Sequence, residues 1–243
     1  AGEQGEVVLN VTPFYAEMGG EVGDTGTITA DGVELQVIDT KAPEKGLVCH
    51  VATVASGVLT VGMAVSAQVD VKRRACITRN HTCTHILHAA LRQVLGAHVK
   101  QAGSYVGPDR LRFDFTHFES VTPEQLKQVE ELANSVIMSA TATNIFETSL
   151  AKAREEGVTA LFGEKYGDVV RVVKVGDFSS ELCGGCHVAN TAEIGLVKIV
   201  SESSVGANLR RIEAFTSYDA LTYLNGFEHQ MKELSVTLRV PTS

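Results

Sequence analysis

The hydrophobic period of this chain changes once, abruptly, near residue 72, and that change limits the folds open to it. Before it, apolar and polar residues alternate in short runs: 6–11, 26–29, 33–38, 47–52 and 64–71, with Gly, Asp and Pro between them. A period of two in runs of this length predicts short antiparallel strands, and five of them predict a small antiparallel β-barrel. After Arg73-Arg74 the period becomes helical. Ile77, Leu87, Ala90, Leu91, Val94 and Leu95 form an apolar stripe within a helix expected over 77–99.

The rest of the chain mixes both periods. Between the first two strands lies Pro13-Phe14-Tyr15-Ala16-Glu17-Met18-Gly19-Gly20-Glu21-Val22-Gly23-Asp24, too long and Gly-rich for a tight hairpin and therefore a shaped loop, either a set of turns or a lip over a neighbouring site. Thr122-Pro123-Glu124-Gln125 has the N-cap Thr, first-turn Pro and N3 Gln of a helix start, expected to run to Ser139. Strands are expected at 110–115, 144–148, 169–175, 195–202 and 209–216, with helices at 150–156 and 218–238. Helices covering one side of a mostly antiparallel sheet give the α+β class. With 243 residues and 44% hydrophobic content the chain can bury two modest cores. The expected division is a β-barrel domain over 1–74, an α+β domain over 75–217, and the start of a C-terminal linking helix over 218–243.

The formal net charge of −8 argues at first against a nucleic-acid partner, but the charge is segregated. Residues 1–40 carry Glu3, Glu6, Glu17, Glu21, Asp24, Asp31, Glu34 and Asp39 with no Lys or Arg, whereas 72–112 carry Lys72, Arg73, Arg74, Arg79, Arg92, Lys100, Arg110 and Arg112 with only Asp109. Such a segment is either an ordinary solvated surface or a phosphate-facing one. No signal peptide is visible behind Ala1, and the expectation is an internal piece of a longer protein. Membrane spans of roughly 18 apolar residues are absent from the sequence. The five cysteines are odd in number and cluster near histidines, which fits a reducing, cytoplasmic setting better than a disulfide framework.

His81-Thr82-Cys83-Thr84-His85 lies in the expected helix and sets two imidazoles on one face. Alone, such a pair is as readily two polar residues on a helix flank. Cys183-Gly184-Gly185-Cys186-His187 supplies a thiolate and a third imidazole around two glycines that let the backbone wrap closely. His81, His85, Cys183 and His187 together make a plausible tetrahedral Zn2+ set. No Glu follows the first His, so the general base of a zinc-protease helix is missing.

Taken together, Arg79-Asn80-His81-Thr82-Cys83-Thr84-His85, Leu182-Cys183-Gly184-Gly185-Cys186-His187 and Arg210-Arg211-Ile212-Glu213-Ala214 closely resemble the editing domain of alanyl-tRNA synthetases. The 14–20 loop and the strands around it look like the domain preceding it there. Freestanding proteins that edit mischarged alanine tRNA share both motifs, and threonyl-tRNA synthetase editing domains share them more loosely. The sequence departs from the family's usual pattern at Cys83, where a small residue such as Ala is usual, at Cys186, where Thr is usual, and at Glu21, where Gln is usual. Cys186 could compete with Cys183 as ligand or lie beside the metal as a redox-sensitive thiol; Glu21 would add a carboxylate near the site and weaken approach of the tRNA end.

The resemblance implies zinc-dependent hydrolysis of serine or glycine esters on the acceptor end of alanine tRNA, correcting errors that a pocket sized for alanine cannot avoid. Thr84 and Gln101 are the candidates for substrate contact, although each is also readable as structural, a helix Thr bonding its own backbone and a loop Gln at the surface. Arg73, Arg74, Arg79, Lys100, Arg210 and Arg211 are the candidates to hold tRNA phosphates. A full-length protein would add an aminoacylation domain and a C-terminal domain. Competing readings are a freestanding deacylase, a structural-zinc RNA-binding module without chemistry, and a metal-dependent hydrolase of small esters.

Overall fold

A computed structural model describes residues 2–160 and 166–238; the expected C-terminal edge at 239–243 lies outside them. The first five strands are β1 (Gln4–Val8), β2 (Gly26–Ala30), β3 (Val33–Glu44), β4 (Leu47–Ser56) and β5 (Ser66–Val69). They form one antiparallel sheet in the order β1-β4-β3-β2-β5. Alternation does here what the sequence demanded: Val33, Leu35 and Val37 are buried while Glu34, Gln36 and Ile38 face out. The sheet is open, not the expected closed barrel. Its edge strands β1 and β5 each pair with one neighbour, and β5 has only four residues. Leu59 and Val65, from the irregular stretch before β5, cover the apolar face around Phe14, Ile28, Leu35 and Val37 in place of further pairing.

Helix α1 spans Val71–Leu95, six residues earlier at its start than the apolar stripe suggested. Asp70 caps it by accepting from Arg73 N, so Arg73 and Arg74 lie in its first turn. The helix is buried almost all round: Ile86, Leu87, Ala90 and Leu91 enter the core, while Asn80, His81, Thr82, Thr84, His85 and His88 are buried on other faces. So many buried polar side chains on one helix require partners, and this requirement singles out the site.

The remaining elements are β6 (Gln101–Val106), β7 (Leu111–Thr116), α2 (Pro123–Met138), β8 (Thr143–Ser149), α3 (Leu150–Glu155), β9 (Val169–Val175), β10 (Ser179–Leu182), β11 (Val197–Gly206), β12 (Leu209–Thr216) and α4 (Ser217–Leu238). They build a sheet of order β11-β12-β7-β6 and another of order β10-β9-β8. Every strand pairing in the three sheets is antiparallel, consistent with the α+β class. The α2 capping box is complete, with Thr122 and Gln125 each accepting from the other's backbone N–H. Leu87 and Leu91 of α1, Val129 and Ile137 of α2, Phe113, Phe115 and Ile212 share the main core.

The 13–24 loop docks on the edge of the second sheet. Val106 N donates to Gly20 O at 2.8 Å and Val22 N to Val106 O at 3.1 Å, making a parallel bridge between Glu21 and Val106. Gly20 has φ +90°, and a Cβ there would lie 2.6 Å from the Ser104 carbonyl oxygen, so only glycine fits the crossing. Among the described residues no helix is long and apolar enough to cross a membrane.

Candidate metal centre

α1 and the loop after β10 bring the two sequence motifs together. One ligand atom from each of His81, His85, Cys183 and His187 lies within 4.8 Å of all the others. The three imidazole centroids are 4.3 to 5.2 Å apart. Cys183 Sγ sits 3.4 Å from His81 Nε2 and 3.3 Å from His187 Nε2. The sulfur–nitrogen edge of a tetrahedral zinc site with ordinary bond lengths is about 3.6 Å, so the Cys183 sulfur stands close to tetrahedral spacing from two of the imidazoles.

Electrostatics favours the ligand protonation state at Cys183 and His187 and opposes it at His81. Burial alone would raise the Cys183 thiol, but the facing His81 charge and hydrogen bonds from His187, His81 and His85 hold it far below its ordinary value, as thiolate. Burial works against a charge on His81, yet the Cys183 thiolate and Glu21 carboxylate raise it to about 10. Burial and the neighbouring His81 charge push His187 down to about 3. A cation entering between Cys183 and His81 would therefore take the place of the His81 proton.

The next layer orients the rings. Glu21 Oε2 lies 2.5 Å from His81 Nδ1 and accepts Cys186 N–H at 2.8 Å. Thr82 Oγ1 lies 3.1 Å from His187 Nδ1 and accepts Val188 N–H at 3.1 Å. Glu181, on β10, approaches His85 Nδ1 at 3.7 Å and His88 Nδ1 at 2.9 Å; burial would raise its carboxyl, but His85 and His88 bring it below the usual range. Carboxylates behind imidazoles are the usual outer support of metal-ligating histidines. Arg171 Nη1 donates to Cys183 O and Gly185 O, both at 2.8 Å, and clamps the Cys-Gly-Gly-Cys turn.

Glu21 is buried and engaged with His81, and does not stand as a free charge facing an approaching tRNA. Cys186 lies outside the quartet; burial and Glu21 push its thiol up to about 12. Cys83 packs in the core at 0% exposure. A cavity of about 270 Å³ opens beside the centre, bordered by His81, His85, Cys183, Thr84, Gln101 and Ser104 and by Tyr15, Met18 and Gly19 of the 13–24 loop.

Thr84 and Gln101 thus reach the same cavity as the ligands. The Thr84 hydroxyl donates to Asn80 O at 2.8 Å, and Gln101 Nε2 donates to Ser104 Oγ at 3.3 Å. Gln101 and Ser104 belong to strand β6, not a loop. The six basic candidates are dispersed. Arg73 donates to Gly23 O, Arg74 pairs with Asp24, and Arg79 donates to Glu193 O. Arg210 pairs with Glu202 and Arg211 with Asp114. Lys100 lies exposed immediately before β6. Sequence reasoning passed over Glu181, His88 and Arg171. Two carried a local signal: His88 follows His85 by three residues on the helix, and Glu181 precedes Cys183 by two.

Residues 170–213 match the family described as threonyl and alanyl tRNA synthetase second additional domain, and residues 1–73 match the class II (A) tRNA synthetases. The chain is 55% identical over 235 residues to an alanine–tRNA ligase of Pelotomaculum thermopropionicum, covering 97% of this chain and 27% of that protein. Alanine–tRNA ligases of Desulforamulus reducens and Acetivibrio thermocellus are each 52% identical, over 99% and 100% of this chain. The chain spans 27 to 28% of the length of these relatives.

Proposed function

We propose that this chain, which belongs with the alanine–tRNA ligases along nearly its whole length, is the segment that hydrolyses mischarged serine and glycine esters on alanine tRNA. The observation that carries the proposal is the convergence of three imidazoles and one thiolate, of which His81, His85 and Cys183 border a small cavity. His81, His85, Cys183 and His187 would hold Zn2+, which when bound supplies a Lewis acid or an anchor for the substrate amine. The 13–24 loop and β6 close the cavity to a size suited to a small aminoacyl group.

Thr84 gives the cavity its direction. Its hydroxyl hydrogen is committed to Asn80 O, so any contact its oxygen makes with a substrate is through a lone pair. A seryl hydroxyl can donate to them and an alanyl methyl cannot, which spares the correct ester. Gln101 is held by Ser104 and serves as the second polar wall. Glu21 and Glu181 are both engaged with imidazoles, so neither is free as a general base. The attacking water is then positioned by neutral groups and assisted by the substrate's own ribose hydroxyl. tRNA recognition, with Lys100 the most accessible of the proposed phosphate contacts, would be completed in the cytoplasm by the aminoacylation and C-terminal parts of a full-length protein.

A second reading has one observation in its favour: four protein donors already complete a tetrahedron, as in closed structural sites. Deacylation of seryl-tRNA and alanyl-tRNA, both on alanine tRNA, separates the two when run at high protein concentration before and after zinc removal and return. Editing predicts zinc-dependent loss of the seryl ester alone. In Thr84→Val that loss slows about 2- to 10-fold, the range for one hydrogen bond, with zinc content unchanged. A purely structural site predicts unfolding on chelation and no cleavage of either ester by the zinc-loaded protein.

A further inference from the structure

We propose that Glu21 is a positioning residue of the metal centre, acting from the first sheet's loop to lock both ligand-bearing segments in register. A single atom carries the geometry. Glu21 Oε2 meets His81 Nδ1 of α1 at 2.5 Å and the N–H of Cys186, in the ligand loop, at 2.8 Å. These segments are more than a hundred residues apart in sequence, and Glu21 belongs to neither. Its backbone is fixed independently by the Gly20–Val106 and Val22–Val106 hydrogen bonds, and its side chain is 1% exposed.

The surroundings leave the carboxylate no other task. Asp24, the other buried acid of the loop, is taken by Arg74 and Tyr15 N. No lysine or arginine pairs with Glu21 among the described residues, so an acid is buried here against two donors of the centre itself. The cost of desolvating it is offset by contact with the His81 ring and the Cys186 amide. Gly185 marks how tightly the three pieces close: a Cβ there would collide with both His81 and Glu21 Oε2. The Cys186 thiol also faces the Glu21 carboxylate.

The Nδ1 partner sets which way the His81 ring turns and holds Nε2 toward Cys183. Withdrawing the carboxylate oxygen by one methylene frees the ring and the ligand loop together, while exchanging the acid for an amide keeps an acceptor in place. The proposal rests on the metal reading above, and its test distinguishes the two. Zinc dissociation constants are measured by chelator competition for the full chain and for Glu21→Asp, Glu21→Gln and Glu21→Ala, with the cobalt(II) absorption spectrum as a report on ligand geometry and metal-free melting as a report on folding.

Glu21→Ala and Glu21→Asp are expected to bind zinc about 10- to 100-fold more weakly with an altered cobalt spectrum, and Glu21→Gln to stay within about tenfold of the parent. If the parent chain binds no zinc, the metal reading falls and the positioning role with it. If the parent binds and Glu21→Asp matches it within twofold with an unchanged spectrum, Glu21 is a loop residue only and the proposal is overturned. Should Glu21→Ala fail to fold, the contrast between Asp and Gln decides alone.

Discussion

Gly184 and Gly185 are adjacent in sequence, yet alanine at the two positions should have very different consequences. A Cβ on Gly184 meets only the terminal methyl of Met18, at 3.1 Å, and a flexible side-chain end can move. A Cβ on Gly185 lies 2.5 Å from His81 Nδ1 and collides with His81 Cε1 and Glu21 Oε2, where ordinary contact begins at 3.4 Å. The ring or the loop must retreat by about 1 Å. Overpacking of that kind costs about 1–3 kcal/mol. Separating His81 from its buried carboxylate costs about 1.5–3 kcal/mol more. Taking the low ends, Gly185→Ala should lose about 2.5 kcal/mol, which lowers the melting temperature by about 5 to 10 °C in a chain of this size. Zinc affinity should fall about 10- to 100-fold. Scanning calorimetry and chelator competition on Gly184→Ala, Gly185→Ala and the parent measure both effects. If Gly185→Ala melts within about 1 °C of Gly184→Ala and binds zinc equally well, the close approach of ring, carboxylate and turn is not real.

Two further outcomes follow from the charge state of the site. His81, raised to about 10 by the thiolate and Glu21 despite burial, keeps its proton at neutral pH in the metal-free chain, so zinc must displace it. Apparent affinity therefore strengthens as pH rises toward 10, with a limit of about tenfold per unit, and weakens as pH falls; titration calorimetry in buffers of different ionisation enthalpy should find about one proton released at pH 7. The two cysteines of the ligand loop should differ sharply toward an alkylating reagent at pH 7.5. Cys183 is held as thiolate and should react first in the metal-free chain and be protected by zinc, whereas Cys186, pushed up to about 12, should react slowly in both states; mass spectrometry of the labelled peptides reads the order.

What the sequence determined by itself was short-range. Alternation placed the starts of β2, β3 and β4 to the residue, although β3 and β4 run six and four residues further than expected; the Thr122 capping box started α2 where it begins, and the i, i+4 histidines with the Cys-Gly-Gly-Cys-His turn named all four members of the quartet. Each depends on a period or a spacing along a few residues of chain, set by backbone geometry alone. The tertiary structure decided everything that depends on distant neighbours. It left the first sheet open, because β5 is short and Leu59 and Val65 cover the apolar face instead of new strand pairs. It put Arg74, Arg210 and Arg211 against Asp24, Glu202 and Asp114, although a basic run in a sequence carries no record of its acids. It also turned Glu21 inward to His81, sixty residues away. No local pattern could announce that contact, because it exists only once the loop has docked on β6 and the interior has excluded the water that would otherwise solvate the charge.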